Sequence, residues 1–106
     1  MNCLDKIKDT LLTVTQDVYH YKALKKKDRY IVWAEDGSGN QLNANNARRQ
    51  TTVTGRVNLF SKTENDEYIR KIEEAMIREK ISFKLDSVQY EEETGYIHHI
   101  WDFEVS

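Results

Sequence analysis

The stretch Tyr96–Val105 reads YIHHIWDFEV, and alternate positions in it carry different kinds of side chain. One set is mostly apolar and comprises Ile97, His99, Trp101, Phe103 and Val105, whereas the other set contains both acids. A period of two is typical of a β-strand, in which successive side chains point to opposite faces of the sheet. We therefore predict a strand here, with His98 and His99 on opposite faces and unable to bind one metal ion together.

Two other stretches have apolar residues three or four positions apart, the spacing of a helix that is buried on one side. The first is predicted to begin at Asn2 as its cap and to continue to about residue 18; its apolar positions are Leu4, Ile7, Leu11, Val14 and Val18. The second follows a capping-box pattern, either Thr63 with Asp66 or Ser61 with Glu64. Its predicted core positions are Tyr68, Ile69, Ile72, Met76 and Ile77.

Three further stretches have strand character. Tyr30–Glu35 is β-branched and aromatic on both faces, which favours a central strand. The run from Arg48 to Ser61 alternates, with Val53, Val57 and Leu59 on one face and Gly55 as a candidate bulge. Residues 81–90 form a strand-like run, separated from the last strand by a turn at Glu91–Thr94. We therefore predict one α+β domain over residues 1–106: a mainly antiparallel sheet of about four strands with two helices packed on it, in the order α-β-(long loop)-β-α-β-β.

Composition and charge argue against several classes of function. The net charge is −2, so no strong field attracts nucleic acid or a membrane, although residues 1–53 carry 9 basic against 6 acidic residues (+3) and residues 54–106 carry 7 against 12 (−5). The single cysteine, Cys3, excludes an internal disulfide and a thiolate zinc site, and it suits a small buried hydrophobe near the first helix. No apolar run approaches ~18 residues and no secretory leader is evident, so we expect no membrane span and a reducing cytoplasm.

No pattern predicts catalysis or a cofactor. Glu91–Glu93 are expected at a hydrated loop tip, where no carboxylate is desolvated as an acid/base pair requires. The Gly-Ser-Gly run lacks the lysine and helix of a phosphate-binding loop, and nothing in the pattern places a histidine base beside Cys3. Two other functions stay open: a nucleic-acid-binding regulator using Lys25–Lys27, Arg48 and Arg49, and a metal-dependent enzyme built on His98, His99 and Glu91–Glu93.

The order of these features resembles the small tail-terminator (tail-completion) proteins of tailed bacteriophages and prophages. The resemblance rests on YIVWAED followed by the Gly/Asn-rich loop, on TVTGRVNLFS, on NDEYIRKIEEAM and on YEEETGYIHHIWDFEV. It implies a non-enzymatic homohexameric ring without cofactor or metal that caps the tail tube and faces the head-tail connector, with DNA passing only through its lumen. The implied location is the virion, and the host cytoplasm during assembly. Head-completion or stopper proteins of the phage neck are the alternative.

The loop Asp36–Ala47 is long and rich in glycine and asparagine. Long loops in small domains are often functional, and leaving one disordered costs little closure entropy. We predict that it is mobile in the free subunit and orders against a neighbouring subunit or the tail tube. The predicted contact residues are Gln41, Leu42 and Asn43 at its tip and Arg48 and Arg49 at its base.

Overall fold

A computed structural model describes residues 3–38 and 52–106 of the chain. The elements are α1 (Cys3–Leu12), β1 (Val18–His20), β2 (Arg29–Ser38), β3 (Val53–Ser61), α2 (Glu67–Arg78), β4 (Ser82–Tyr90) and β5 (Ile97–Val105). The predicted α+β class with two helices is confirmed. The sheet has five strands rather than about four, because β1 was not predicted.

The strands lie in the order β1-β2-β3-β5-β4. The three pairings from β2 to β4 are antiparallel, and only β1 runs parallel to its neighbour, with Val18 opposite Ile31. The sheet is therefore mixed, although mainly antiparallel. Tyr30–Trp33 of β2 is buried on both faces, which confirms the central position predicted for this stretch.

The first helix is shorter than predicted, since it ends at Leu12 and Val18 starts β1. Two threonines after the helix bond locally: Thr13 Oγ1 donates to the Thr10 carbonyl at 2.6 Å, and Thr15 Oγ1 accepts from the Asp17 amide at 3.2 Å. Such bonds compete with helical ones, and the β-branched Thr-Val-Thr run lowers helix propensity further. Val14 and Val18 still pack against the core, which explains why their spacing resembled a continuing helix.

Both helices cover one face of the sheet, here called the helix face. The buried cluster on this face comprises Ile7, Leu11, Ile31, Trp33, Val57, Leu59, Ile72, Met76, Ile81, Trp101, Phe103 and Val105, with Cys3 partly buried beside it. The core position predicted for Ile77 is wrong, because its side chain is 64% exposed. One residue turns a helix by about 100°, so the residue after the buried Met76 faces away from the sheet.

The start of α2 also differs in detail from the predicted capping box. Asp66 is itself the N-cap, and its side chain accepts from the Tyr68 amide at 2.9 Å. Ser61 donates its hydroxyl to the same carboxylate rather than capping the helix. An acceptor at the N-cap satisfies one of the free amides of the first turn, and Asp66 supplies it.

The opposite face, here called the back face, carries a smaller aromatic cluster. Tyr30, Val32 and Tyr96 are buried there, with Tyr19, Ala23 and Phe60 partly buried around them. The connection between β1 and β2 is tied to this cluster, since the Tyr96 hydroxyl donates to the Lys27 carbonyl at 2.5 Å. No residue of α1 or α2 belongs to the cluster, and the β1–β2 connection lies beside it.

Candidate functional site

The residues predicted to make subunit or tube contacts, Gln41, Leu42, Asn43, Arg48 and Arg49, lie outside the described residues. The strands on either side pair up to Ser38 and Val53. The segment therefore leaves and re-enters the sheet at one end of the β2–β3 hairpin. Its contacts stay a prediction.

The two adjacent histidines lie on opposite faces of β5, as the alternation of side chains along a strand predicted. On the back face His98 Nε2 lies 2.9 Å from Asn58 Oδ1, and its ring stacks on Phe60 with centroids 4.1 Å apart. On the helix face His99 is buried next to Trp101, at 5.9 Å between ring centroids. Burial lowers the pKa of both imidazoles below the ordinary value, so both rings are neutral near pH 7.

The side chain of Asn58 fixes the hydrogen-bonding role of His98. Asn58 Nδ2 donates to the Val32 carbonyl at 3.1 Å, which identifies Oδ1 as the acceptor facing the histidine. His98 therefore carries its proton on Nε2. Within residues 3–38 and 52–106, no group of three or more His, Cys, Asp or Glu side chains is arranged to hold a metal ion.

The predicted turn at Glu91–Thr94 is present. The Gly95 amide donates to the Glu91 carbonyl at 2.8 Å, and the Glu91 amide donates to the Tyr96 carbonyl at 2.9 Å. Gly95 has a φ of 81°, a left-handed conformation that glycine adopts without strain. Glu92 and Glu93 are exposed, and the Glu91 carboxylate accepts from Thr94 Oγ1 at 3.0 Å. This arrangement lacks the desolvated acid next to an ionised one that a carboxylate pair needs for acid/base catalysis.

The lysines Lys25–Lys27 lie exposed in the connection between β1 and β2. Lys27 is engaged by Asp17, with Nζ 2.9 Å from Oδ1, and this hydrogen bond raises the pKa of the lysine. Lys25 and Lys26 make no ion pair within the described part of the chain. The predicted basic cluster is thus a surface feature beside the back-face aromatics.

Strand β4 is a candidate contact surface that the sequence reasoning missed. It pairs with β5 on one side and, among the described residues, has no strand on the other. Leu85, Val88 and Tyr90 lie opposite Trp101, His99 and Ile97 and so share the helix face, yet they are 44%, 51% and 65% exposed. An unpaired edge with exposed apolar side chains is a ready template for another chain, and proteins normally cover or charge such edges.

The opposite edge of the sheet, at β1, carries a cluster of hydrogen-bonded and stacked side chains instead of exposed apolar ones. His20 Nε2 lies 2.7 Å from Glu35 Oε1, and the Tyr21 hydroxyl donates to Glu35 Oε2 at 2.6 Å. The His20 ring is stacked between Tyr21 and Trp33, with centroids 4.0 and 3.9 Å away. The hydrogen bond from Tyr21 lowers the pKa of Glu35, so this carboxylate is held as an ionised acceptor. These hydrogen bonds and ring contacts hold the short strand β1 against β2.

No helix in the two described segments is both long and apolar enough to span a membrane. Comparison of the whole sequence with protein-family models and with curated proteins finds no match.

Proposed function

We propose that this chain is a non-enzymatic assembly protein of a phage neck, which forms a ring that caps the tail tube and meets the head connector. The observation that carries the proposal is the open edge of β4 with its exposed Leu85, Val88 and Tyr90. Together with the resemblance of the sequence to tail-terminator proteins, this edge favours a function exercised through contact with other protein chains.

The two edges of the sheet differ, and this difference favours a ring over a dimer. The β4 edge is nine residues long and apolar on one face, whereas the β1 edge is three residues long and held by the His20–Glu35 pair. When one surface of a subunit contacts a different surface of the next, the contact is heterologous and generates a ring if the rotation closes. The charge difference between the halves, +3 against −5, suits such head-to-tail contact.

Electron microscopy and sedimentation of the purified protein, with and without polymerised tail tube, test this function. We expect ring-shaped particles, on the tube end if not in isolation. Replacing Leu85, Val88 and Tyr90 together by threonine keeps strand propensity and is expected to abolish them. The matched control replaces Lys84 and Gln89, on the other face of β4, by threonine and is expected to retain assembly. Absence of association with itself, tube and connector at every concentration would reject the proposal.

A head-completion or stopper protein is the nearest alternative, and it predicts binding to the connector but not to the tube. Among the described residues, a nucleic-acid-binding regulator is favoured by the exposed Lys25–Lys27, while Arg48 and Arg49 of that hypothesis lie outside them. It predicts DNA binding that weakens steeply between two salt concentrations, because each phosphate contact releases counterions. A gel-shift titration at low and physiological salt separates it from the assembly function.

A further inference from the structure

The back face contains a cavity of about 410 Å³ between the sheet and the β1–β2 connection. Its floor is formed by Tyr30, Val32, Phe60 and Tyr96, and its rim carries Lys22, Lys26 and Glu91 among other residues. A cavity of this size, apolar below and polar at the rim, has the dimensions and composition of a binding site.

The hydroxyl of Tyr30 lies in this cavity and makes no hydrogen bond to any residue that the structure describes. The residue is only 3% exposed, and the neighbouring Tyr96 hydroxyl is satisfied by the Lys27 carbonyl. Burial, with added repulsion from Tyr96 and Glu91, raises the pKa of Tyr30 to about 12. The phenol therefore stays protonated and offers a donor to an incoming acceptor.

The rim adds positive charge. Lys22 and Lys26 form no ion pair within residues 3–38 and 52–106, while the opposing Glu91 already accepts a hydrogen bond from Thr94. Two cations against one acid give these charged residues a net charge of +1, which favours an anionic group over a cationic one. A hydroxyl donor and two ammonium groups that line the same cavity are suited to a carboxylate.

The aromatic floor points to an aliphatic rather than a nucleobase ligand. Phe60 is stacked against Tyr30 at 4.8 Å and against His98 at 4.1 Å, and Tyr30 and Tyr96 are buried. Single-stranded nucleic acids bind aromatic side chains through free ring faces, which are already occupied here. The cavity therefore fits a carboxylate beside an aliphatic side chain, as an acidic peptide segment supplies.

The chain presents such a segment at the bulge of β4, where the register shifts between Leu85 and Ser87. Leu85 is exposed, and the adjacent Asp86 is exposed and makes no ion pair among the described residues. We propose that the Leu85–Asp86 bulge of one copy inserts into the back-face cavity of the next. There the Asp86 carboxylate accepts from the Tyr30 hydroxyl and pairs with Lys22 and Lys26. The inference rests on the proposed ring and names the contact that closes it.

Charge reversal tests the pairing. Asp86→Lys, and separately Lys22→Glu with Lys26→Glu, are expected to weaken self-association at least about 10-fold, because each leaves like charges facing one another. All three substitutions in one chain restore the attraction and are expected to restore association. Tyr30→Phe removes only the hydroxyl and is expected to weaken association without changing the circular dichroism spectrum. Unchanged association in Asp86→Lys would overturn the proposal.

Disulfide trapping provides a second readout that detects weak contacts. In a Cys3→Ser background, Lys26→Cys and Asp86→Cys proteins are mixed under mild oxidation and the cross-linked species are identified by mass spectrometry. We expect dimers that join the two different variants. Only like-with-like dimers, or none, would overturn the proposal.

The outcomes separate this inference from the function on which it rests. Rings that form on the tube and ignore every one of these substitutions reject the cavity contact and leave the neck function standing. Loss of tube binding by the Lys22→Glu, Lys26→Glu protein with normal self-association assigns the cavity to the tube protein and rejects the second copy as its occupant. Failure of the wild-type protein to associate with itself, tube or connector rejects the neck function.

Discussion

Asp66 joins three parts of the fold through one buried carboxylate. It caps α2, accepts from the Ser61 hydroxyl at the end of β3, and lies 3.0 Å from Arg29 Nη1 at the start of β2. Burial opposes ionisation of this group, but the hydrogen bonds from Ser61 and Tyr68 and the charge of Arg29 outweigh it and lower its pKa. The carboxylate is therefore ionised in the folded protein.

Replacing Asp66 by asparagine is expected to lower the free energy of unfolding by about 1.5–3 kcal/mol at pH 7, because charged hydrogen bonds to Ser61 and Arg29 are lost. The folded-state pKa lies below the unfolded value of about 3.9, so this contribution is complete above pH ~5 and is lost as the pH falls toward the folded-state pKa. Urea titrations from pH 7 to pH 3 measure it, and the two proteins should converge in acid. Asp28→Asn, at a largely exposed aspartate, is the control and should change stability little. A constant difference at every pH would contradict the assignment.

Gly55 lies where β3 faces the bulge of β2 between Glu35 and Gly37. The predicted bulge is therefore on the partner strand, and the glycine accommodates it. A Cβ atom here would lie 2.7 Å from Phe103 Cζ and 2.8 Å from Glu35 Cα, both too close for a real contact.

Gly55→Ala is expected to destabilise the protein by about 1–3 kcal/mol, because the added methyl forces apart two paired strands. Thermal and urea denaturation measure the loss. Gly95→Ala is the comparison, since nothing lies within 4 Å of its added Cβ and only the φ of 81° is strained. If the alanine at position 55 costs less than the one at position 95, the steric argument fails.

Helix α2 is fastened to the sheet by a polar contact as well as by its apolar side. Trp101 on β5 is fully buried, and its Nε1 donates to Glu73 Oε2 at 2.8 Å. Glu73→Ala leaves the indole donor without its acceptor and is expected to cost about 1–3 kcal/mol. Chemical denaturation and the Trp fluorescence maximum report the change. Glu74→Ala on the exposed side of the same helix should stay within about 0.5 kcal/mol of wild type, and an equal loss in both would refute the role of Glu73.

The whole molecule is expected to lose stability as the pH falls below about 6.5, through the half-buried His98 and the buried His99. Burial lowers the folded-state pKa of His98 and His99, so the unfolded chain takes up these protons first and stability falls as the pH falls through that range. For His99, burial outweighs the attraction of Asp66 and Glu73, and its Nδ1 is buried without a partner among the described residues.

His99→Leu removes both the titrating group and the unsatisfied nitrogen. We expect near-wild-type stability at pH 7.5 and a smaller loss than wild type between pH 7.5 and pH 5.5. Urea unfolding at the two pH values gives the comparison. Parallel pH dependence in the two proteins would show that His99 does not contribute.

The spacing of apolar residues was sufficient to predict the helices and strands in which that spacing is regular. The period of two in β5 correctly separated His98 from His99, the three- and four-residue spacing located α2, and the turn was predicted at Glu91–Thr94, where it lies. Each of these features depends on residues within a few positions of one another, so a short stretch of sequence is enough to predict it. The same logic failed at residues 13–18, where local hydroxyl bonds and a parallel strand pairing replaced the end of a helix.

The candidate site depends on which strands are neighbours in the sheet, and no short stretch of sequence specifies this. In the sequence, Leu85 and Val88 resemble any other apolar strand residues. The strand order β1-β2-β3-β5-β4 places their strand at the edge of the sheet, where they are exposed. The cavity likewise needs Lys22 and Tyr30 together with Tyr96, which is far from both in the chain. Periodicity determines which face a side chain points to, whereas the hydrogen bonds between distant strands determine what, if anything, lies against that face.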